Sequence, residues 1–342
     1  MKHIKTLGID LAKNVFQLHG IDGKGKCVLR KRLSRKKLIE YVSNLEACTI
    51  AIEACTGAHY WGRLFISLGH QVKMMAPQFV KPYVKSNKND RNDAEAIAEA
   101  STRPNMKFVA VKSIEQQDIL LLHRGRQLVV KQRTALVNQI RGLLAEYGIV
   151  VAKNIGNLKK ISTVLEEQAD KLTTFAIEVF KKLHEQFLEY DKQVAEYDKQ
   201  IGQLAKQEAR CQELMKIEGI GPLTASAAVA TIGNAKVFKN GREMAAWLGL
   251  VPKQHSSGEK IILGSITKRG DRYMRTLLVH GARTVIKTCE KKTDSRSLWL
   301  MNKKTRCGYN KAAVALANKN ARIIWAILAT GECYRKPMSM TG

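Results

Sequence analysis

The sequence predicts an α/β domain, a helical middle region that contains a coiled coil, and a mostly helical C-terminal domain. The first 75 residues contain several apolar, β-branched runs of strand length. An apolar repeat with steps of three and four residues extends from about residue 183 to 204, which is typical of a long helix. With 342 residues, the chain also exceeds what one hydrophobic core normally serves. We therefore expect domains at 1–110, 111–210 and 211–342.

The first domain is predicted to begin with three strands, at HIKTLGIDLA, NVFQLHGID and KCVLRKRLS, the last two joined by a hairpin turn at residues 21–25. The elements expected next are a basic helix at 35–45, a strand with Glu53, a helix at 59–68, a strand at 70–76 and a helix near Asp90. This order is that of a ribonuclease-H-like sheet, in which the first and fourth strands are neighbours. A dinucleotide-binding sheet is the competing fold, but no G-x-G-x-x-G follows the first strand.

Four carboxylates in this domain are candidate metal ligands. Asp10 and Glu53 lie inside apolar runs, where a charge costs several kcal/mol unless it is solvated, paired or bound to metal. Asp90 and Asp93 are three residues apart at a helix start, and Asn89 or Asp90 can cap that helix. Together the four acids could hold two divalent cations for phosphodiester chemistry. Each also has a structural interpretation, as a loop-facing acid, an N-cap or a first-turn acid.

Small or polar neighbours share a strand face with each strand acid. Alternation places Asp10 on the face of Thr6 and Gly8. In the later strand, Glu53 shares its face with Thr49 and Ala51. This leaves room beside each carboxylate for a metal ion and a phosphate.

Charge is the unusual feature of the composition. The chain has 58 Lys and Arg residues against 30 Asp and Glu residues, a net charge of +28, which implies a polyanionic partner, with nucleic acid the leading candidate. Residues 253–342 hold 19 basic and 5 acidic residues, so half of the excess lies there. An anionic membrane could attract the same surface, but no stretch reaches spanning length without charges or helix breakers. We therefore expect no membrane partner.

Seven cysteines, without a Cys-x-x-Cys pair, argue against both a zinc site and a disulfide framework. Charged residues also interrupt the first apolar segment, so no signal peptide is expected at the N-terminus. A reducing cytoplasm is the expected compartment.

The helical region carries a heptad-like seam, with mixed charges outside it. The seam residues are Leu183, Phe187, Tyr190, Val194, Tyr197, Ile201 and Leu204. They predict a coiled-coil hairpin or a dimer element. A helix packed inside one subunit is the alternative, because antiparallel pairing with residues 115–147 would bury the same stripe, with a bend near 148–156.

Two segments of the third region are candidate phosphate contacts. Gly219 and Gly221 precede Pro222 in a turn like that of helix-hairpin-helix modules, whose backbone amides accept DNA phosphates; a plain helix-helix turn fits the sequence equally well. A glycine-bounded loop then carries Lys268 and Arg269, and the following helix has arginines on its polar face. The arginines selected as nucleic-acid contacts are Arg272 and Arg275. The alternative for them is an ordinary solvated helix face.

The order of these motifs resembles the insertion-sequence one-ten family of transposases. The shared motifs are Gly-Ile-Asp, Ile-Glu-Ala-Cys, Lys-x-Asp-x-x-Asp-Ala, Gly-Ile-Gly-Pro, Leu-Gly-Leu-Val-Pro, Ser-Ser-Gly and Thr-Lys-Arg-Gly-Asp-x-x-x-Arg. This family comprises DEDD recombinases and includes the Piv and MooV invertases. A Gly-Ala-Arg step after the arginine helix is similar to the one-one-one-one subgroup. Because the resemblance covers nearly the whole chain in order, it is more specific than any single motif.

The resemblance implies a RuvC-like acidic domain and a C-terminal transposase domain with a nucleophilic serine. The family's acids fall on Asp10, Glu53, Asp90 and Asp93, and its serine falls on Ser257, with Ser256 as the adjacent alternative. Without the resemblance, Ser-Ser-Gly would be interpreted as a flexible loop.

The resemblance also implies cofactors and partners. Mg²⁺, or Mn²⁺ in its place, would bind the acids, and a structured bridge RNA would pair with donor and target DNA. A homo-oligomer, dimer or tetramer, is expected in the bacterial cytoplasm at the nucleoid. Because Asp10 and Ser257 fall in different predicted domains, we expect a composite site. The alternatives are a Holliday-junction nuclease that uses the acids alone and a non-catalytic DNA-architectural protein.

Overall fold

A computed structural model describes residues 3–84, 90–257 and 260–335, without the side chains of Asp90 and Arg91. The chain divides into two compact units, Met1–Ile114 and Glu115–Gly342. The first predicted domain boundary, at residue 110, lies close to this division. Apart from residues 111–114, the predicted regions 111–210 and 211–342 belong to one compact unit, and their separation into two domains stays a prediction.

The first unit is a mixed α/β structure. Its strands are β1 (Thr6–Asp10), β2 (Val15–Ile21), β3 (Cys27–Ser34), β4 (Thr49–Glu53), β5 (Gln71–Met75) and β6 (Phe108–Val109). Its helices are α1 (Arg35–Ser43), α2 (Ala58–Ser67), α3 (Pro77–Val80) and α4 (Asp90–Ser101). The first five strands and the helices α1, α2 and α4 match the predicted order. The sequence analysis did not predict β6 or α3, which are two and four residues long.

The six strands form one sheet in the order β3-β2-β1-β4-β5-β6. Strands β1, β2 and β3 form an antiparallel meander, whereas β1 with β4 and β4 with β5 are parallel. Strand β6 pairs antiparallel with β5. The predicted adjacency of the first and fourth strands is therefore confirmed.

The two faces of the sheet are filled differently. Large apolar residues of alternate positions, such as Ile9 and Ile52, join the core that contains Phe16 and Trp61. The opposite face carries Gly8 and Ala51 and is covered by α4, as the small residues in the pattern allow. A Cβ atom at Gly8 would lie 2.5 Å from the Ala94 carbonyl oxygen and 2.8 Å from the Ala98 Cβ. This absent side chain lets α4 approach β1 closely.

The second unit is mostly helical. Its helices are α5 (Ile114–Ala145, which starts on the last residue of the first unit), α6 (Ile155–Leu158), α7 (Ile161–Glu167), α8 (Thr174–Gln207), α9 (Ala209–Met215), α10 (Pro222–Ile232), α11 (Gly241–Trp247), α12 (Arg272–Thr288), α13 (Ser295–Cys307) and α14 (Tyr309–Thr330). Its two strands are β7 (Pro252–Ser257) and β8 (Lys260–Ile266), which form a separate antiparallel hairpin.

The long helices α5 and α8 pack antiparallel within the chain. Arg126 on α5 forms an ion pair with Asp198 on α8 at 2.6 Å, and Arg133 forms one with Asp191 at 2.5 Å. The residue numbers increase along α5 and decrease along α8 from one contact to the next, so the helices are antiparallel. The predicted seam residues of α8 are all buried or half-buried. This arrangement is the pairing with residues 115–147 that the sequence allowed. A coiled coil between subunits stays a prediction.

Helices α9 to α14 enclose the largest apolar core of the described chain. Helix α14 is long and apolar enough by composition to cross a membrane. One face of it, however, is fully buried in this core, at Leu316, Ala317, Ala321 and Ile324. A buried core helix of a folded domain meets the same criterion. We interpret α14 as such a core helix.

Candidate functional site

The carboxylates of Asp10 and Glu53 lie at the carboxyl ends of neighbouring parallel strands. Strands β1 and β4 pair in the register Gly8 with Ala51 and Ile9 with Ile52. Asp10 and Glu53 are the next residues of the two strands, and both are half-buried. In an open α/β sheet, this edge is where ligands usually bind.

The thiol of Cys55 lies near both carboxylates. The pKa of Cys55 is raised above its usual value, first because the thiol is partly buried and then because the negative charges of Glu53 and Asp10 oppose thiolate formation. Coulomb interactions weaken with distance, so both carboxylates lie near this one thiol. The end of the sheet is a region of concentrated negative charge.

Helix α4 brings Asp93 to the same face of the sheet. Asp93 is half-buried and directly precedes Ala94, whose carbonyl oxygen faces Gly8 of β1. The side chain of Asp90 lies outside the described residues, as do residues 85–89 with the proposed cap at Asn89. Among the side chains that the structure describes, no three His, Cys, Asp or Glu groups are arranged to hold a metal ion by themselves.

The donor chemistry at this edge nevertheless fits Mg²⁺. Carboxylate oxygens are its preferred protein ligands, and Mg²⁺ is usually bound by one or two carboxylates together with substrate phosphates and water. Asp10 and Glu53 provide such a pair, and Asp93 is placed on the helix that covers them.

Ser256 and Ser257 lie at the tip of the β7–β8 hairpin. Ser256 pairs with Ile261 and Ser257 with Lys260, and both serines are exposed. The amide of Gln254 donates a hydrogen bond of 2.9 Å to the Ser256 hydroxyl. The sequence on its own favoured a flexible loop here, but Ile261 and its β-branched neighbours on the partner strand favour extended pairing. Gly258 of the motif lies outside the described residues.

The two glycines of the predicted phosphate turn have different surroundings. Gly219 has φ +84° and packs so closely on Gly281 of α12 that a Cβ atom on either residue would collide with the other backbone. Gly221 has open space beside it and is the N-cap of α10, which begins at Pro222. Gly219 therefore has a packing role. Phosphate binding by this turn stays a prediction.

The loop before α12 is fixed by backbone contacts. Lys268 has φ +56°, the one positive value among the non-glycine residues that the structure describes. Its N–H donates to the Gly249 carbonyl at 3.2 Å, and Gly270 lies against the Trp247 carbonyl. The Arg275 guanidinium donates to the carbonyls of Leu248 and Arg269 at 2.9 and 3.2 Å.

This geometry separates the four basic residues that the sequence grouped together. Lys268, Arg269 and Arg272 are exposed, whereas Arg275 is half-buried and bonded to the protein backbone. Arg275 thus holds the loop in place, and the three exposed side chains are available to a ligand.

A buried hydrogen-bonded chain ties α5, α10 and α12 together. Ser226 donates to the Pro222 carbonyl at 2.7 Å, so its oxygen accepts from Nε2 of His123 at 3.0 Å. Nδ1 of His123 then accepts from the Tyr273 hydroxyl at 2.8 Å. This order requires a neutral imidazole.

Two members of this chain have pKa values that are shifted mainly by burial. Burial, and then the charge of Arg126, lowers the pKa of His123 to about 4. Burial also raises the pKa of Tyr273 to about 12. This network could not be predicted from local sequence patterns, because His123 is 103 residues from Ser226 and 150 residues from Tyr273. Its only signal in the sequence is a His inside a helical apolar pattern.

A sheet of this topology with neighbouring carboxylates, together with a basic helical unit, is typical of nucleic-acid-processing enzymes. Two family models agree with this class. The model of DEDD transposases of IS110 elements matches residues 7–149, and the model described as "Transposase IS116/IS110/IS902 family" matches residues 211–297.

Individual relatives extend the match over nearly the whole chain. It is 47% identical to a probable family 20 transposase of Pseudomonas aeruginosa, over 97% of this chain and 99% of that protein. It is 46% identical to the transposase of insertion sequence element IS1111A of Coxiella burnetii, over 98% and 92%. The transposase of IS1328 of Yersinia enterocolitica is 39% identical, over 98% and 100%. The chain belongs to the IS116/IS110/IS902 family of transposases, enzymes that cleave and recombine DNA.

Proposed function

We propose that this transposase moves its insertion sequence by breaking and rejoining DNA through a serine ester, with a divalent metal at the carboxylates and a bridge RNA as guide. The observation that carries the proposal furthest is the placement of Asp10 beside Glu53 at one edge of the sheet. Such a placement offers a pair of carboxylate ligands of the kind by which proteins usually hold Mg²⁺ together with substrate phosphates.

Asp10, Glu53, Asp90 and Asp93 are the residues that would hold Mg²⁺, or Mn²⁺ in its place. When bound, the metal supplies positive charge at the phosphate under attack. The carboxylates accept the ion, and the close packing of α4 on Gly8 fixes the distance of Asp93 from the strands. A rigid sheet edge holds such ligands more accurately than a loop.

Ser257 is the proposed nucleophile. Its hydroxyl oxygen forms a bond to the phosphorus of a DNA phosphodiester while the bond from phosphorus to one DNA oxygen breaks. The hydroxyl proton leaves as the DNA oxygen is released, and that oxygen takes up a proton. A DNA hydroxyl then attacks the phosphoserine and reverses these changes, so the energy of the phosphodiester is conserved. The exposed position of Ser257 on the hairpin supports access to a bulky substrate.

The nucleic acids are proposed to bind the basic surface of the second unit. The exposed side chains of Lys268, Arg269 and Arg272 and the open backbone at Gly221 are suited to phosphate groups. The net charge of +28 supports the simultaneous binding of RNA and DNA. We propose a dimer or tetramer as the working form. Sequencing of RNA that copurifies with the protein tests the guide: a structured RNA encoded next to the transposase gene is expected, and random cellular RNA would contradict it.

A covalent-trapping experiment tests the nucleophile. Wild-type protein is incubated with Mg²⁺ and a nicked suicide substrate, and peptides attached to DNA are mapped by mass spectrometry. We expect an adduct at Ser257 that is lost in Ser257→Ala and retained, at lower yield, in Ser256→Ala. The Ser256→Ala variant is the matched control, because it removes the adjacent hydroxyl, which Gln254 already occupies.

The remaining outcomes separate the alternatives. An adduct at Ser256 would move the nucleophile by one residue. Strand cleavage that persists in Ser257→Ala would indicate a junction-type nuclease that uses the carboxylates alone. Specific DNA binding without any cleavage would indicate an architectural protein.

A further inference from the structure

A large basic groove in the second unit is not used by the residues discussed so far. It has a volume of about 1210 Å³ and lies between α11, the base of the β7–β8 hairpin, α13 and α14. Its lining includes Arg242, Arg296, Lys303, Lys311, Lys319 and Arg322. Among the described lining residues, Glu332 is the one carboxylate. The groove is therefore strongly positive.

Among the residues that the structure describes, three cations of the groove have no carboxylate partner, although some other basic residues of the same unit do. Elsewhere, Lys292 pairs with Glu218 and Lys304 with Glu290, each at 2.6 Å. Within the described part of the chain, no ion pair involves Lys311, Lys319 or Arg322. Like charges held together repel one another, so an anion in the groove would be stabilised by several partners at once.

The pKa of Lys319 is affected by this repulsion. Burial, and then the positive charges of Arg296 and Arg322, lowers its pKa below the usual value. The ammonium also lies 4.7 Å from the ring centre of Trp299, which stabilises the cation from one side.

Arg296 adds a buried positive charge to the wall of the groove. Its side chain is 2% exposed and contacts the neutral groups of Asn320 and Tyr334. Its Nε atom is buried and has no hydrogen-bond partner among the described residues. A buried guanidinium normally has a carboxylate or phosphate partner, because burying an unpaired charge is costly.

The spacing of the cations along α14 matches several successive phosphates of a nucleic-acid backbone. Lys311, Lys319 and Arg322 lie along the outer side of α14, over 11 residues or about 16 Å of helix. That length corresponds to about five base pairs of duplex DNA. The two tryptophans of the groove are already engaged, since Lys319 covers Trp299 and the Trp325 N–H donates to the Ala235 carbonyl. Phosphate contacts are therefore favoured over base stacking.

We propose that this α14 groove is a docking surface for the phosphate backbone of duplex DNA, separate from the loop at Lys268 and Arg269. The inference rests on the proposed function, because the duplex DNA on which the transposase acts is the proposed ligand of the groove. Guide RNA carries the same phosphodiester chemistry and is distinguished by the test.

The test compares three full-length variants with the wild-type protein. The groove variant carries Lys311→Gln, Lys319→Gln and Arg322→Gln. The matched control carries Lys181→Gln, Lys192→Gln and Lys199→Gln, which removes the same charge from exposed positions of α8. The third protein, with Lys311→Arg, Lys319→Arg and Arg322→Lys, keeps the charge of the groove and tests whether charge or packing matters.

Affinity for a 30-base-pair duplex and for an RNA hairpin of equal charge is measured by fluorescence anisotropy from 50 to 300 mM salt. We expect the groove variant to lose at least about tenfold in duplex affinity and about 2 to 3 units of log-log salt slope. The control variant should change less than about threefold, and the charge-keeping variant should bind like wild type.

Several outcomes would overturn the proposal. These are an unchanged duplex affinity in the groove variant, an equal loss in the control variant, a loss in the charge-keeping variant, or a loss for the RNA hairpin alone. Unfolding curves of each variant verify that it is folded. Strand cleavage by wild-type protein is measured in parallel. If wild-type protein cleaves DNA but the groove variant binds duplex normally, only the role of the groove is refuted. If wild-type protein does not cleave DNA, the proposed function itself is refuted.

Discussion

The two units present their candidate functional groups in opposite ways. In the first unit, Asp10 and Glu53 are half-buried at the edge of a six-stranded sheet, and α4 is locked onto that sheet at Gly8. In the second unit, Ser257 lies on an isolated two-stranded hairpin whose residues are almost all exposed. A carboxylate site needs fixed distances, whereas a nucleophile that meets a large substrate needs access. Under the proposed function, the first unit provides the fixed distances and the hairpin of the second unit provides the access.

The largest expected effect is on strand cleavage and concerns the carboxylates at the sheet edge of the first unit. Glu53→Gln keeps the shape of the side chain and removes its charge, so we expect strand cleavage to fall by about a thousandfold or more, about 4 kcal/mol of transition-state stabilisation. Duplex binding should remain within about twofold of wild type. Single-turnover cleavage assays and anisotropy provide the two values.

Glu46→Gln is the control for this prediction, because Glu46 is an exposed acid outside the sheet edge. Cleavage by Glu53→Gln at the wild-type rate would remove Glu53 from the site.

The second prediction concerns the buried imidazole of the second unit. The pKa of His123 is lowered to about 4, below the value of 6.5 expected for the unfolded chain. The unfolded state therefore binds a proton more readily, so stability is full above about pH 6.5 and falls as pH decreases toward 4. The loss is about 3 kcal/mol at most, given 1.4 kcal/mol per pKa unit.

Denaturant unfolding between pH 4 and 7 measures this dependence. His123→Gln should be less stable at pH 7 and should show a weaker pH dependence over the same range. His59→Gln makes the corresponding test in the first unit, where the pKa of His59 is also lowered to about 4, by burial and the charges of Lys112 and Arg63. An unaltered pH profile in His123→Gln would show that His123 does not contribute.

The third prediction tests how closely α4 is packed. Gly8→Ala adds a Cβ atom that would lie 2.5 Å from the Ala94 carbonyl oxygen, and we expect it to destabilise the first unit by about 2 kcal/mol. In the hairpin, Gly264→Ala meets no atom closer than 3.8 Å, so its effect on unfolding should be under about 0.5 kcal/mol. Equal effects at the two glycines would contradict the distinction between a fixed and an open unit.

The smallest effect is expected at the loop that precedes α12. Arg275→Ala removes the donor to two carbonyls and should destabilise the second unit by about 1 to 2 kcal/mol. Arg272→Ala, one turn earlier on the same helix and exposed, should change stability by less than about 0.5 kcal/mol. Chemical denaturation distinguishes these values; if Arg275→Ala is as stable as Arg272→Ala, the side chain does not hold the loop.

Sequence reasoning succeeded where local patterns carry the information. Alternating residues and turn signals located the strands of the first unit, and their order predicted that β1 and β4 are neighbours. The proximity of Asp10 and Glu53 follows from that topology alone. Small residues at Gly8 and Ala51 predicted room for a metal ion and a phosphate, whereas in the structure α4 packs on these two residues.

Sequence reasoning failed where the contact that determines a residue's role is distant in sequence. Arg275 has the spacing of a polar-face arginine, but its partners Leu248 and Arg269 come from other segments. Gly219 fits a phosphate turn by sequence, whereas its close neighbour Gly281 lies 62 positions later. The conformation of Ser256 also depends on pairing with the opposite strand. Periodicity and propensity contain no information about such partners.

The contact between Gly219 and Gly281 has a consequence for chimeric transposases. Because two backbones touch where side chains would normally separate them, the turn before α10 and the middle of α12 must keep one mutual geometry. A segment exchanged with a relative therefore has to include both, from about residue 216 to about residue 285. A crossover placed between them would join halves shaped for different partners, and the product would misfold even if each half came from an active parent.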